Sequence, residues 1–161
     1  MAITKRPPNT IYLGGGDGPG GESGCTNIND YVAIEQITPG MLLEYHSDSG
    51  TLKWGVHDSA TDIGSIVVAL DQPFLNLGVD DVYAAGDLVL AGALRNGATF
   101  WGIVPSGQNI AVAAKLQSNG DGKLKVATAD TAAANVAKFV ALESSGGAVT
   151  VDTRIRVEVV L

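Results

Sequence analysis

The chain has 161 residues, 45% of them hydrophobic, a length and apolar content that suit one domain with a core of its own plus an appendage. A formal net charge of −7 and a sequence pI near 4.6 argue against nucleic acid and anionic membrane as direct partners, because phosphate recognition needs clustered Lys and Arg. A single cysteine, Cys25, excludes an intrachain disulfide and the usual cysteine-rich zinc site.

From the start of the chain, no apolar stretch has the form of a signal peptide, and no run reaches the roughly 18 apolar residues of a membrane-spanning helix. The expectation is a soluble protein made in a cytoplasm. Pro7-Pro8 blocks helix and favours an extended path. The run LGGGDGPGGESGC, Leu13 to Cys25, has too few apolar side chains to offset its own ordering entropy. Residues 1–26 are therefore read as a flexible arm, and residues 27–161 as a single β domain. Within the arm, Thr10-Ile11-Tyr12-Leu13 is the one apolar cluster. It is read as a strand or as an anchor that docks on something, and Ile11, Tyr12 and Leu13 are the candidate contact residues.

Short strands separated by turn residues follow. Tyr31–Ile34 comes first, then Met41–Tyr45 after Thr38-Pro39-Gly40, and Leu52–Trp54 after Asp48-Ser49-Gly50. Ile66–Leu70 is a continuous apolar run, the pattern of a strand buried on both faces. Leu88–Leu90 follows Ala85-Gly86-Asp87, and Thr99–Val104 follows Asn96-Gly97, a hairpin signal. Leu124–Ala127 and Phe139–Glu143 precede a closing strand, Arg154–Val160. In that strand Ile155, Val157 and Val159 alternate with Arg154, Arg156 and Glu158. Helix is confined to two turns over Thr131–Lys138, capped by Asp130 or Thr131. The spacing of turns predicts an all-β fold, a small β-barrel or β-sandwich of short strands. There is an internal echo: Thr38–Leu43 matches Ala84–Val89, and Val68–Asp71 matches Val140–Glu143. It suggests two related β units on one core.

The glycine run fails as a phosphate loop. No Lys lies between Arg6 and Lys53, and a Walker loop needs one after its glycines; a dinucleotide loop needs a βαβ unit around it. His46-Ser47-Asp48 and His57-Asp58-Ser59 carry hydrolase residue types, but neighbouring side chains on a strand face opposite ways and no GxSxG elbow is present. Metal ligation by His46 and His57 with Asp58, Asp62 or Asp71 has no diagnostic spacing. Asp80-Asp81 and Asn119-Gly120-Asp121-Gly122 lack the ordered ligands of a calcium loop and are read as turns. Trp54 and Trp101 are read as packing residues, and Cys25 as an incidental thiol. No catalytic, cofactor or metal site is expected, and the chain is not expected to be an enzyme.

The stretches Ile37–Leu43, Tyr83–Val89, Leu116–Leu124 and Phe139–Glu143, with the closing Arg154–Val159, occur in an order that resembles the head decoration, or cement, proteins of tailed bacteriophages. The resemblance spans roughly Ile37 to Leu161 and does not cover the glycine-rich insertion. It implies a structural virion protein made in the host cytoplasm. Such a protein binds the major capsid protein on the outside of the expanded capsid and stabilises the shell against internal DNA pressure. It implies a homo-oligomer, trimer slightly ahead of dimer, with no cofactor. The alternatives are a carbohydrate-binding or adhesin-type β module using Trp54 or Trp101 and, last, a metal-dependent hydrolase using His46 and His57.

Overall fold

The computed structural model describes residues 9–16, 24–60, 65–128 and 137–161. Eleven strands are found among them: β1 (Tyr12–Gly15), β2 (Cys25–Ile28), β3 (Leu42–Asp48), β4 (Thr51–Val56), β5 (Val67–Ala69), β6 (Ala91–Leu94), β7 (Ala98–Val104), β8 (Lys115–Ser118), β9 (Leu124–Val126), β10 (Phe139–Ala141) and β11 (Thr153–Val159). One 3-10 turn, Pro73–Leu75, is the helical element among the described residues. The strands form two sheets with every neighbouring pair antiparallel. One has the order β1-β7-β11-β10-β8-β9, the other β2-β6-β5-β3-β4. The expected all-β fold is present, as two sheets.

The alternation of β11 explains one wall of the core. Ile155, Val157 and Val159 are fully buried while Arg156 on the opposite face is exposed. They pack with Phe100, Leu116, Phe139 and Val104 of the same sheet and with Leu42, Val68 and Leu94 of the other. Burying each such side chain contributes roughly 1.5–3 kcal/mol, an upper bound because the unfolded chain is itself partly compact. Phe100 and Phe139 meet edge to face, ring centroids 5.9 Å apart. The run at β5 is buried on both sides, as its unbroken apolarity predicts. Val68 faces the core between the sheets, whereas Val67 and Ala69 face a second cluster with Trp54, Tyr83 and Ile37.

That second cluster lies under two irregular segments. Tyr31–Ile34, expected as a strand, forms only bridges, Val32 to Leu88 and Ala33 to Trp54. The internal echo is real at its turns. Met41 N–H donates to Thr38 O and Asp87 N–H to Ala84 O, both at 3.0 Å. In each turn the third residue, Gly40 or Gly86, has positive φ, as a type II turn requires. The residues before the two turns pair with each other, Ile37 with Tyr83. The echo ends there: Leu42 opens a seven-residue strand, while Leu88 makes a single bridge.

Two turns differ in a way their dihedral angles explain. Ser49 and Gly50 both have positive φ, which matches strand twist and closes the β3–β4 hairpin. At Asn96-Gly97 only Gly97 has positive φ, and Ala98 N–H donates to Arg95 O. This turn does not make the expected hairpin. It is a corner that carries the chain from β6 in one sheet to β7 in the other.

The glycine run answers to the same corner. β1 pairs with β7 and β2 with β6, and the residues at the two ends of the run, Gly15-Gly16 and Gly24, lie beside the Asn96-Gly97 corner. Backbones meet there at distances that exclude side chains: a Cβ on Gly24 would lie 1.9 Å from Gly15 O, and one on Gly15 would lie 2.4 Å from Gly97 O. Arg95 N–H donates to Gly24 O at 2.9 Å. Ile11–Gly15 and Cys25-Thr26, on the arm side of the expected boundary at residue 26, pair with or pack against the two sheets. Residues 1–8 and 17–23 of the expected arm, and most of the expected helix, fall outside the described residues.

Candidate functional site

The candidate contact residues Ile11, Tyr12 and Leu13 fall in three different environments, with the register against β7 shifting between Tyr12 and Gly14. Ile11 is 0% exposed and belongs to the core between the sheets; it offers no side chain to a partner. Tyr12 is half-buried and its hydroxyl donates to Gly15 O at 3.0 Å. Leu13 alone points outward, 40% exposed. Their position is fixed by Asp71, itself buried. Its Oδ1 accepts from Ile11 N–H at 2.8 Å and from the Thr10 hydroxyl at 3.1 Å.

Asp71 is also the base of the most exposed apolar feature among the described residues. Gln72 and Leu77 exchange backbone hydrogen bonds at 2.9 and 3.0 Å. Pro73 presets the turn, Leu75 N–H donates to Gln72 O, and Asn76 takes the left-handed conformation that ends it. The Gln72 side-chain amide donates to Leu88 O at 3.3 Å. This closed loop holds Phe74 98% exposed and Leu75 68% exposed. Sequence reasoning missed both. The signal in reach was a Pro-led apolar pair followed by Asn, too short to reach back into a core.

The remaining sequence candidates resolve into structure. Trp54 is fully buried, stacked beneath Tyr45 with centroids 4.3 Å apart, the packing role read for it. Asp81 accepts from Gly78 N–H at 2.7 Å, and Asp121 from Lys123 N–H and the Asn119 amide; these are turns, as read. Burial pushes the Cys25 thiol above its ordinary pKa, the opposite of a reactive thiolate. Asp71 is committed to Thr10 and Ile11, and Asp62 falls outside the described residues. His57 is buried with Nδ1 2.9 Å from Ser118 Oγ. Glu44, His46 and Asp58 bring ligand-type atoms together beside it. Glu44 was not among the sequence candidates, although its spacing of two from His46 on a strand places both on one face.

No family model and no curated protein matches this sequence. Among solved structures, the chain is similar to the N base of the head fiber protein gp8.5 of bacteriophage phi29, with 15% sequence identity and a TM-score of 0.55. The match covers 84% of this chain and 93% of that one. What the two have in common is the mainly-β, two-sheet fold.

Proposed function

We propose that this chain is a structural protein of a tailed-phage virion, a decoration or cement protein that binds the exterior of the expanded capsid and steadies it against internal DNA pressure. The observation that carries the reading is the Phe74-Leu75 tip. A large aromatic almost wholly in water, on a loop closed by its own hydrogen bonds, has the makings of a preformed anchor. Such anchors lose little entropy on docking and dominate binding energy. The shared fold with a phage head-fiber base supports the same setting, and the body needs no reactive centre for this role. The partner is the major capsid protein, engaged by Phe74 and Leu75, with Leu13 as a further candidate contact. On the shell the chain sits as a homo-oligomer, trimer ahead of dimer on resemblance. Copies repeated by symmetry turn weak contacts into lasting occupancy.

The test is co-sedimentation of the full chain with expanded capsids that lack it. Wild-type protein is expected to pellet with the capsids and raise the temperature at which filled heads release DNA. The double variant Phe74→Asp, Leu75→Asp is expected to lose at least tenfold in affinity while melting as the wild type does. Failure of the wild-type chain to bind any expanded capsid, or equal binding by the double variant, contradicts the reading at the level of the protein or of the loop respectively.

A further inference from the structure

We propose that Glu44, His46 and Asp58 form a binding site for one borderline divalent cation of the zinc class, with His57 as the positioning residue behind it. Glu44 Oε1 lies 3.1 Å from His46 Nε2, and its Oε2 lies 3.8 Å from His57 Nε2. The ligand atoms of Glu44, His46 and Asp58 all lie within 4.8 Å of one another. Around a tetrahedral ion with bonds of about 2.0–2.1 Å, ligand atoms stand about 3.3 Å apart. Side-chain rotations that close the cluster by roughly an ångström would fill three positions of such a shell and leave the fourth to water.

Three features set this cluster apart from an ordinary polar surface. His46 Nε2 is shut off from solvent and makes no hydrogen bond, although Glu44 Oε1 lies 3.1 Å away. A buried nitrogen without a partner is costly, and a cation would supply one. Next, Gly55 faces Glu44 across the β3–β4 ladder. A Cβ there would lie 2.4 and 2.6 Å from His46 Cδ2 and Nε2, so the imidazole rests in space that only glycine leaves open. Last, His57 is held by Ser118 Oγ, which also accepts Gly120 N–H at 3.2 Å. When the Ser118 hydroxyl donates to Nδ1, His57 carries its proton on Nε2 and turns that N–H toward the Glu44 carboxylate 3.8 Å away, the second-layer arrangement that orients metal-binding groups.

Mixed imidazole and carboxylate donors favour zinc, nickel or cobalt over calcium and magnesium, which take oxygen shells. The site would act as a clasp. Glu44 and His46 come from β3, Asp58 follows β4, and the His57–Ser118 contact reaches β8 in the other sheet.

The experiment is calorimetric titration of the chelator-treated full chain with Zn²⁺, beside thermal melts with and without the ion. One ion per chain is expected, with a rise in melting temperature that Mg²⁺ and Ca²⁺ do not produce. His46→Ala and Asp58→Asn should each weaken binding at least tenfold, and Ser118→Ala should weaken it while leaving all three ligands in place. Asp58 is exposed, so its variant carries the test if His46→Ala fails to fold. No one-to-one binding of Zn²⁺, or binding unchanged in Asp58→Asn, would overturn the proposal.

Discussion

Ile11 and Phe74 are both large apolar residues in short segments rich in Pro, Gly or Asn, yet they have opposite fates. Ile11, flanked by polar and glycine-rich sequence, is fully buried; Phe74, flanked by core strands, is almost fully exposed. Asp71 stands between them, accepting from Ile11 N–H on one side and starting the Phe74 loop on the other. The difference teaches that local composition does not decide burial. What decides it is where the backbone finds its hydrogen bonds. Beyond Ile11 the chain finds an open sheet edge at β7, with Trp101 N–H donating to Ile11 O at 2.9 Å. Around Phe74 the backbone satisfies itself within six residues and leaves the side chain outside.

Truncating each residue breaks the comparison most sharply. Ile11→Ala should cost about 2–5 kcal/mol of unfolding free energy, the range for emptying a core site, whereas Phe74→Ala should stay within about 0.5 kcal/mol as an exposed substitution. Denaturant melts of the two variants measure both; equal losses would erase the distinction. Asp71→Ala comes next. It strands the buried Ile11 N–H, and removing a buried partner costs about 1–3 kcal/mol. The variant should also speed hydrogen exchange at Ile11 and Tyr12 more than at β11.

A small, pH-dependent effect lies away from both residues, at a pair that joins the β8–β9 loop to the segment before β11. Lys123 Nζ lies 3.0 Å from Asp152 and 3.4 Å from Asp121. The hydrogen bond from Lys123 holds the Asp152 carboxyl below its ordinary range. A depressed folded-state value means this stabilisation is present at neutral pH and is lost as pH falls through the acid range below the ordinary value of 3.8. Asp152→Asn should cost less than about 1 kcal/mol at pH 7, since the pair is partly solvated. The gap between variant and wild type should close in melts taken under strongly acid conditions.

Elements whose pattern is self-contained were legible in the sequence. The closing strand announced its buried face by alternation, Asp48-Ser49-Gly50 announced a turn, and the apolar run at β5 announced burial on both sides. Features that depend on distant partners were not. Gly15 and Gly24 read as slack because nothing near them in sequence shows that their backbones touch at the Gly97 corner. Ile11 reads as an anchor because its partner Asp71 is 60 residues away. At the candidate metal site the two histidines and Asp58 are visible in the sequence, beside Asp62 and Asp71, whereas nothing local singles out Glu44. Only the folded β3–β4 ladder brings Glu44, His46 and Asp58 to one place.

Hydroxyl-radical footprinting of the full chain, free and bound to expanded capsids, tests the central claim most directly, because it reads Ile11, Leu13, Phe74 and Leu75 in one experiment. The account predicts that Phe74 and Leu75 are strongly labelled in the free protein and protected on the capsid, with Ile11 unlabelled in both states. Labelling of Ile11 in the free protein that disappears on binding, with Phe74 unchanged, would contradict it and return the contact to the N-terminal segment.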